Sequence, residues 1–148
     1  MSRLSSQLHE FCNRYGLDIM YAFGSRAQEI FQNSHGKGKL DEASAADVDL
    51  GVKTLRDSPL SPREKANLTI ALEELLGVKR VDLVILSEAD PFLAANVIRG
   101  ERIFCRDAYL ADEYEPFVLR RAGDLAPLER ERLGMIFKEA TKGFFCFR

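Results

Sequence analysis

Apolar residues at helical spacing predict an amphipathic helix over residues 3–15, with Gly16 just past its end. The next run, 17–23, is apolar and short, which favours a buried strand. This strand ends at Gly24, where the chain is predicted to turn into a short helix over 26–31.

Residues 32–46 show no sustained periodicity and are rich in Gly, Ser and Lys, so they predict a surface loop. Polar and apolar residues then alternate over 47–53, which is typical of a strand. Because side chains two residues apart on a strand point the same way, Asp47 and Asp49 are expected on one face of a sheet.

The middle of the chain carries the clearest helix signals. Ser61 is the predicted cap, Pro62 fits the first turn, and Glu64 completes a capping box. Gly77 is predicted to end this helix. The apolar segment 80–86 predicts a third strand, which a single carboxylate interrupts.

The last third of the chain is predicted to be mostly helical. A helix over 90–100 precedes a short edge strand over 101–105, and two further helices follow over 107–122 and 127–142. Pro116 predicts a kink or break in the first of these two. The whole order of elements predicts an α/β or α+β fold with a central sheet.

Length and composition narrow the class of protein. The 148 residues fit one domain, 1–148, and the net charge of −2 gives no global field that calls for nucleic acid, although a local basic patch is left open. The three cysteines and two histidines show no zinc-ligand spacing. No apolar run approaches the roughly 20 residues that span a bilayer. The N-terminus lacks the apolar core of a signal peptide, so a reduced cytoplasm is expected.

The Gly24-Ser25 pair lies between the first strand and a helix. Glycine permits a sharp turn there, backbone N–H groups at a helix start attract phosphate, and Ser25 adds a hydroxyl donor. An ordinary strand-to-helix turn is the alternative interpretation.

Three aspartates suggest a metal site. Asp47 and Asp49 would repel each other unless a cation lies between them, and Mg²⁺ prefers a few carboxylates together with phosphate oxygens. Asp82 lies in an apolar strand, where a carboxylate is costly unless it is paired or metal-bound. The alternatives are a solvated strand face for the pair, and a partner such as Arg80 or Lys79 for Asp82.

Together these residues fit phosphoryl or nucleotidyl transfer, which depends on positioning and charge neutralisation. Asp47 and Asp49 are predicted to bridge metal ions. Asp82 is predicted to hold the ion that activates the attacking hydroxyl, or to accept its proton. Ser25 and nearby backbone N–H groups would bind a triphosphate, and Arg26 would add positive charge at the leaving pyrophosphate.

The same segments resemble a known family. They read Phe23-Gly24-Ser25-Arg26-Ala27, Ala46-Asp47-Val48-Asp49-Leu50-Gly51-Val52 and Arg80-Val81-Asp82-Leu83-Val84. A strand ending in Gly-Ser, an Asp-x-Asp strand and a third aspartate on a later strand resemble the minimal nucleotidyltransferase (MNT) family of the DNA polymerase β superfamily. The resemblance covers roughly residues 17–110.

The chain departs from the family pattern in three places. The family usually has a glycine shortly after the Gly-Ser-x-Ala run, where this chain has Gln28-Glu29. The interval between Ser25 and Asp47 is longer than usual, which surface loops tolerate. Ala46 stands where serine is common.

The resemblance implies a mixed sheet flanked by helices, with a core over about 17–110 and a C-terminal helical extension over 111–148. It also implies Mg²⁺ and a nucleoside triphosphate, ATP above all. Many MNT proteins are antitoxins that pair with a helical HEPN-type toxin, and some adenylylate a tyrosine of that partner. The aromatic C-terminal residues, including Phe144, Phe145 and Phe147, are expected to be buried against this domain or another chain.

Two functional hypotheses follow from the resemblance. In the first, the chain is a metal-dependent enzyme that transfers AMP from ATP to a hydroxyl, such as a tyrosine of a HEPN-type toxin, and releases pyrophosphate. In the second, it is an antitoxin that neutralises its partner by occlusion with little or no catalysis. Small-molecule adenylylation is less favoured because 148 residues leave little room for an acceptor-binding domain. Whether the chain forms a homo-oligomer is left open.

Overall fold

The computed structural model describes residues 3–36, 46–56 and 59–146, with side chains through residue 136. Helices and strands alternate along the chain up to a long C-terminal helix. They are α1 (Arg3–Tyr15), β1 (Leu17–Phe23), α2 (Ala27–Ser34), β2 (Val48–Thr54), α3 (Pro62–Leu76), β3 (Val81–Ile85), α4 (Pro91–Ile98), β4 (Glu101–Cys105) and α5 (Ala108–Cys146).

The strands form one sheet in the order β3-β2-β1-β4. Strand β1 is antiparallel to both β2 and β4, whereas β2 and β3 are parallel. This mixed sheet, flanked by helices, confirms the predicted α+β class. It also places β4 at an edge, as the sequence predicts.

Each face of the sheet is covered by helices. On one face, Met20, Leu50 and Leu83 join a buried cluster to which α1 and α3 contribute most of the helical side chains. On the other face, Tyr21 packs in a second cluster with residues of α4 and α5, such as Val97. Alternate residues of β1 enter different clusters. In β2, Leu50 enters the first cluster and Gly51 lies against Val97 of α4, so Asp49, two residues before Gly51, is directed to the α4 face.

The predicted helix signals are found in the structure. The Ser61 hydroxyl accepts a hydrogen bond from the Glu64 backbone N–H at 3.1 Å, and Gly77 ends α3 with a left-handed φ of 66°. The Asp90 carboxylate accepts hydrogen bonds from two backbone N–H groups at the start of α4. These local signals fix where both helices begin.

The segment between β1 and β2 differs from its prediction. Helix α2 runs over Ala27–Ser34, which is one residue later at its start and three residues longer at its end than predicted. Residues 32–34 therefore belong to a helix and not to the predicted loop over 32–46. Of the rest of that loop, residues 37–45 lie outside the described residues.

The predicted separation of the C-terminal helices is wrong. A single helix, α5, runs through both Pro116 and Pro127, so no break occurs at Pro116. A proline costs a helix interior about 3 kcal/mol but does not forbid continuation, and the buried Val118 and Ala122 pack the flanking turns. Gly123 has no left-handed φ, so it does not end the helix.

None of the helices in the described part of the chain is long and apolar enough to cross a membrane. The aromatic side chains of Phe144, Phe145 and Phe147 lie outside the described residues.

Hydrogen bonds at the margin of the core attach the start of α5 to the sheet. The Tyr21 hydroxyl donates a hydrogen bond to Glu115 Oε1 at 2.8 Å, and Arg102 donates to the same oxygen at 3.2 Å and to Asp112 at 3.0 Å. Burial, followed by the hydrogen bond to Glu115, raises the pKa of Tyr21 above its ordinary value. Tyr21 thus stays protonated and keeps α5 anchored to β1.

Gly51 lets α4 approach the sheet closely. A Cβ atom at this position would lie 2.3 Å from Val97 Cγ1, and a valine side chain has no flexible end that can move aside. We expect Gly51→Ala to lower the free energy of unfolding by about 1–3 kcal/mol, measured by urea unfolding. Combining it with Val97→Ala should recover part of this loss, so that the double variant is more stable than the two single effects predict. Simple additivity of the two effects would contradict the close contact.

Candidate active site

At the end of β1, the backbone of Gly24 lies against the carboxylate of Asp49. Gly24 follows Phe23, has a left-handed φ of 76°, and lies so close to Asp49 that an added Cβ would be 2.2 Å from Asp49 Oδ2. The backbone conformation therefore favours glycine here, and an added Cβ would displace the Asp49 carboxylate. The absence of a side chain at Gly24 lets the Asp49 carboxylate lie directly against the backbone of this turn.

Asp49 and Asp82 are neighbours across two strands. Phe23 pairs with Asp49 between β1 and β2, and Asp49 pairs with Asp82 between β2 and β3. Because paired strands lie about 4.8 Å apart and paired residues point to the same face, the two carboxylates lie side by side on one face of the sheet. Asp82 is exposed and Asp49 is half-buried, so both carboxylates are accessible to solvent.

The electrostatics of these carboxylates are those of an anionic cluster. Partial burial raises the pKa of Asp49, and the negative charges of Asp82 and Asp47 raise it further. A cation placed among them would remove this penalty.

Asp47 lies just before β2, on the side of the strand that Asp49 shares. The next residue is fixed to β3, because the Val48 backbone N–H donates to the Arg80 carbonyl oxygen at 3.1 Å. Arg80 Nε also lies 3.8 Å from Asp47 Oδ1, but the Arg80 side chain is largely exposed, so this ion pair stabilises the fold little. Arg80 thus pairs with Asp47, whereas the sequence suggested it as a partner for Asp82.

The turn after β1 holds Ser25 and Arg26 in different environments. Ser25 is exposed at the entrance to α2, and the Ala27 backbone N–H donates to the Gly24 carbonyl oxygen at 3.3 Å, which closes the turn. Arg26 is only 6% exposed. Its guanidinium donates to both carboxylate oxygens of Glu29, at 3.0 and 2.9 Å, and to the Ala46 carbonyl oxygen at 3.2 Å.

The donor set fits Mg²⁺ by its chemistry. Carboxylate oxygens are the ligands Mg²⁺ prefers, and the Asp49 carboxylate lies directly against the turn at Gly24. Within the ranges that the structure describes, however, no three His, Cys, Asp or Glu side chains are close enough to form a complete metal-binding group. Asp47, Asp49 and Asp82 are therefore neighbours with the right chemistry, and their role as ligands stays a prediction.

Sequence reasoning did not identify Glu29 as a partner of Arg26. The two residues are three apart at the start of α2, a spacing that brings side chains together on a helix. That spacing was a usable signal. The bond from Arg26 to Ala46 spans 20 residues of sequence and had no such signal.

Comparison with known proteins places this arrangement in a family. The sequence profile described as "Polymerase beta, Nucleotidyltransferase" matches residues 6–109, which is more than half of the chain. No curated protein sequence matches the chain.

Similar solved structures extend over nearly the whole chain. A toxin-antitoxin MntA-HpeT structure with two aspartate-to-glutamate substitutions has 19% identity and a TM-score of 0.64, covering 92% of this chain and 98% of that chain. A toxin-antitoxin structure with AMP-PNP gives the same four values. A tri-AMPylated Shewanella oneidensis HEPN toxin in complex with MNT antitoxin has 18% identity and a TM-score of 0.61, covering 93% of this chain and 96% of that chain. At these identities the likeness establishes a common fold, and with the profile match it shows that the chain belongs to the polymerase β nucleotidyltransferase family.

Proposed function

We propose that this protein is a metal-dependent nucleotidyltransferase that transfers AMP from ATP to a hydroxyl acceptor and releases pyrophosphate. The observation that carries the proposal is the pairing of Asp49 with Asp82 across adjacent strands, directly beside the glycine turn that ends β1. Three carboxylates lie beside a strand-to-helix turn, where β1 ends and β2 and β3 begin. This arrangement suits binding of a metal–triphosphate complex.

Each residue has a proposed role in this reaction. Asp47 and Asp49 are the metal ligands, and Gly24 with Ser25 binds the phosphates through backbone N–H groups and the Ser25 hydroxyl. Asp82 completes the ligand set or accepts the proton of the acceptor hydroxyl. When bound, Mg²⁺ would neutralise charge on the phosphates and on the leaving pyrophosphate.

The bonding changes balance without a further reactant. The acceptor oxygen forms a bond to the α-phosphorus of ATP, and the bond between that phosphorus and the α,β-bridging oxygen breaks. A base accepts the hydroxyl proton, and the exposed carboxylate of Asp82 is accessible for this role. Pyrophosphate carries away the remaining two phosphates.

A tyrosine of a HEPN-type toxin is the proposed acceptor. Support comes from solved relatives of the same fold, one of which contains an AMPylated HEPN toxin together with an MNT antitoxin. Another was solved with AMP-PNP, an ATP analogue. The reaction is proposed for the cytoplasm, the compartment expected from the sequence.

Two ATP samples labelled at different phosphates test the proposal. Incubation with the partner toxin and Mg²⁺ should place label from the α-phosphate on the toxin and label from the γ-phosphate in pyrophosphate. Label from the γ-phosphate on the toxin would indicate a kinase instead. Absence of protein-bound label from either sample, with a toxin that the protein does bind, would reject the enzyme proposal.

The exposed apolar surface of α5 favours a second function, neutralisation by occlusion. From residue 123 to residue 136 the helix carries no buried side chain. Its exposed apolar side chains there include Leu128, Met135 and Ile136, at 63%, 59% and 50% exposure. A helix of this kind gains stability when another protein covers it.

The two functions separate in a double variant. If catalysis neutralises the toxin, Asp47→Asn combined with Asp49→Asn should abolish protection of cells that express the toxin. Full protection by this variant, at equal protein levels, would show that binding suffices.

A further inference from the structure

The Arg26 guanidinium is hydrogen-bonded to other residues of the protein, unlike an arginine that is free to bind a phosphate. Its side chain is buried, and two of its donor nitrogens, Nε and one terminal nitrogen, bind the two oxygens of Glu29. This bidentate geometry uses the planar guanidinium fully on that side. The other terminal nitrogen donates to the Ala46 carbonyl oxygen.

The contact with Ala46 lies directly before the first predicted metal ligand. Asp47 follows Ala46, and Val48 is hydrogen-bonded to the backbone of β3 through Arg80. The backbone of Asp47 is therefore held on both sides, by Arg26 before it and by β3 after it. Residues on either side that are fixed in this way restrict where the Asp47 carboxylate lies.

We propose that Arg26 is a positioning residue, which Glu29 orients and which fixes Asp47 for metal binding, and that it does not bind the triphosphate. This inference rests on the proposed nucleotidyltransferase function. It also gives a role to Glu29, which lies in the stretch where the family resemblance led us to expect glycine.

The chemistry of arginine explains why this residue type is required. One guanidinium supplies the two parallel donors for Glu29 and a third donor, on another nitrogen, for Ala46. A lysine ammonium is a point donor that cannot reproduce this planar arrangement. Removing the Glu29 charge leaves a buried guanidinium without its carboxylate, which weakens its hold on Ala46.

Two probes separate metal positioning from phosphate binding. Mn²⁺ alone, followed by electron paramagnetic resonance, reports the carboxylate site, and ATP in EDTA, followed by calorimetry, reports phosphate binding without metal. The variants are Arg26→Lys and Glu29→Gln. The matched control is Arg132→Lys, which alters an exposed ion pair of the same i,i+3 spacing on α5.

The proposal predicts that Arg26→Lys and Glu29→Gln each weaken Mn²⁺ binding about tenfold, as loss of a ligand-orienting partner does, and leave ATP affinity in EDTA unchanged. The control should change neither affinity. If Arg26 binds phosphate instead, Arg26→Lys will weaken ATP binding in EDTA, and Glu29→Gln will strengthen it by releasing the guanidinium. Either of those results overturns the proposal, as does Mn²⁺ affinity that neither variant alters.

Folding and the parent proposal have their own readouts. Circular dichroism identifies a variant that does not fold, and Glu29→Gln keeps the inference testable if Arg26→Lys is such a variant, because Glu29 is partly exposed. Wild-type protein that binds neither Mn²⁺ nor ATP would overturn the proposed function itself. Wild-type protein that binds both, with variants that behave otherwise than predicted, would overturn only the role of Arg26.

Discussion

Replacing Asp49 with asparagine is expected to lower nucleotidyl transfer by at least about 10³-fold, because loss of a metal ligand removes several kcal/mol of charge stabilisation. The same change should raise the thermal stability of the metal-free protein at neutral pH. Asp49 lies between Phe23 and Asp82 in the sheet, where its charge meets both partial burial and neighbouring carboxylates. Removing that charge relieves the repulsion between Asp49 and the carboxylates of Asp82 and Asp47, which no bound cation offsets in the metal-free protein.

The stability gain depends on pH in a defined direction. The folded-state pKa of Asp49 lies above its ordinary value of 3.8, so ionisation is less favourable in the folded than in the unfolded chain. As the pH rises through this window, the wild type loses stability that Asp49→Asn does not lose. The gain should therefore be complete above the folded pKa and disappear below pH 3.8.

Thermal unfolding in EDTA across the acidic to neutral range measures this effect. Asp124→Asn is the control, because Asp124 is an exposed carboxylate of α5. A lower melting temperature for Asp49→Asn than for wild type at neutral pH would show that the carboxylate contributes a stabilising contact, against the electrostatics described above. Unchanged transfer activity would remove Asp49 from the site.

The strands that carry the three aspartates were predictable from local signals. The apolar run that ends at Gly24, the alternation at Asp47 and Asp49, and the apolar segment around Asp82 each indicate a strand. Strand register then follows from burial, since a slip by one residue would turn the buried faces outward. The sequence predicted a shared site for Asp49 and Asp82, whereas their pairing across β2 and β3 is a finding of the structure.

Features that depend on long-range contacts were not predictable in the same way. The bond from Arg26 to Ala46 crosses 20 residues, many of them without periodicity, so no local pattern in the sequence indicates it. The continuity of α5 through Pro116 and Pro127 depends on a balance between a local backbone cost and packing against the domain. Sequence patterns show the local backbone cost of a proline but not the packing of the helix against the domain.

Gly24→Ala is the second change with a large expected effect, and Gly16→Ala is its matched control. Both glycines have a left-handed φ, 76° and 66°, so an alanine at either position should cost about 1–2 kcal/mol of stability. Nothing lies within 4 Å of a Cβ at Gly16, whereas a Cβ at Gly24 would lie 2.2 Å from Asp49 Oδ2. The two variants therefore share the backbone strain and differ in the contact with Asp49.

The contact with Asp49 should affect activity far more than stability. A carboxylate at the end of a short side chain can rotate away from the new methyl group at little energetic cost, so urea unfolding should give similar losses for both variants. That rotation, however, displaces the Asp49 carboxylate from the geometry that transfer needs. A displacement of about 1 Å lowers rates by about 10²-fold. Transfer from labelled ATP should thus fall in Gly24→Ala and persist in Gly16→Ala. Equal activity in the two variants would mean that the position of the Asp49 carboxylate beside the turn is not what the reaction requires.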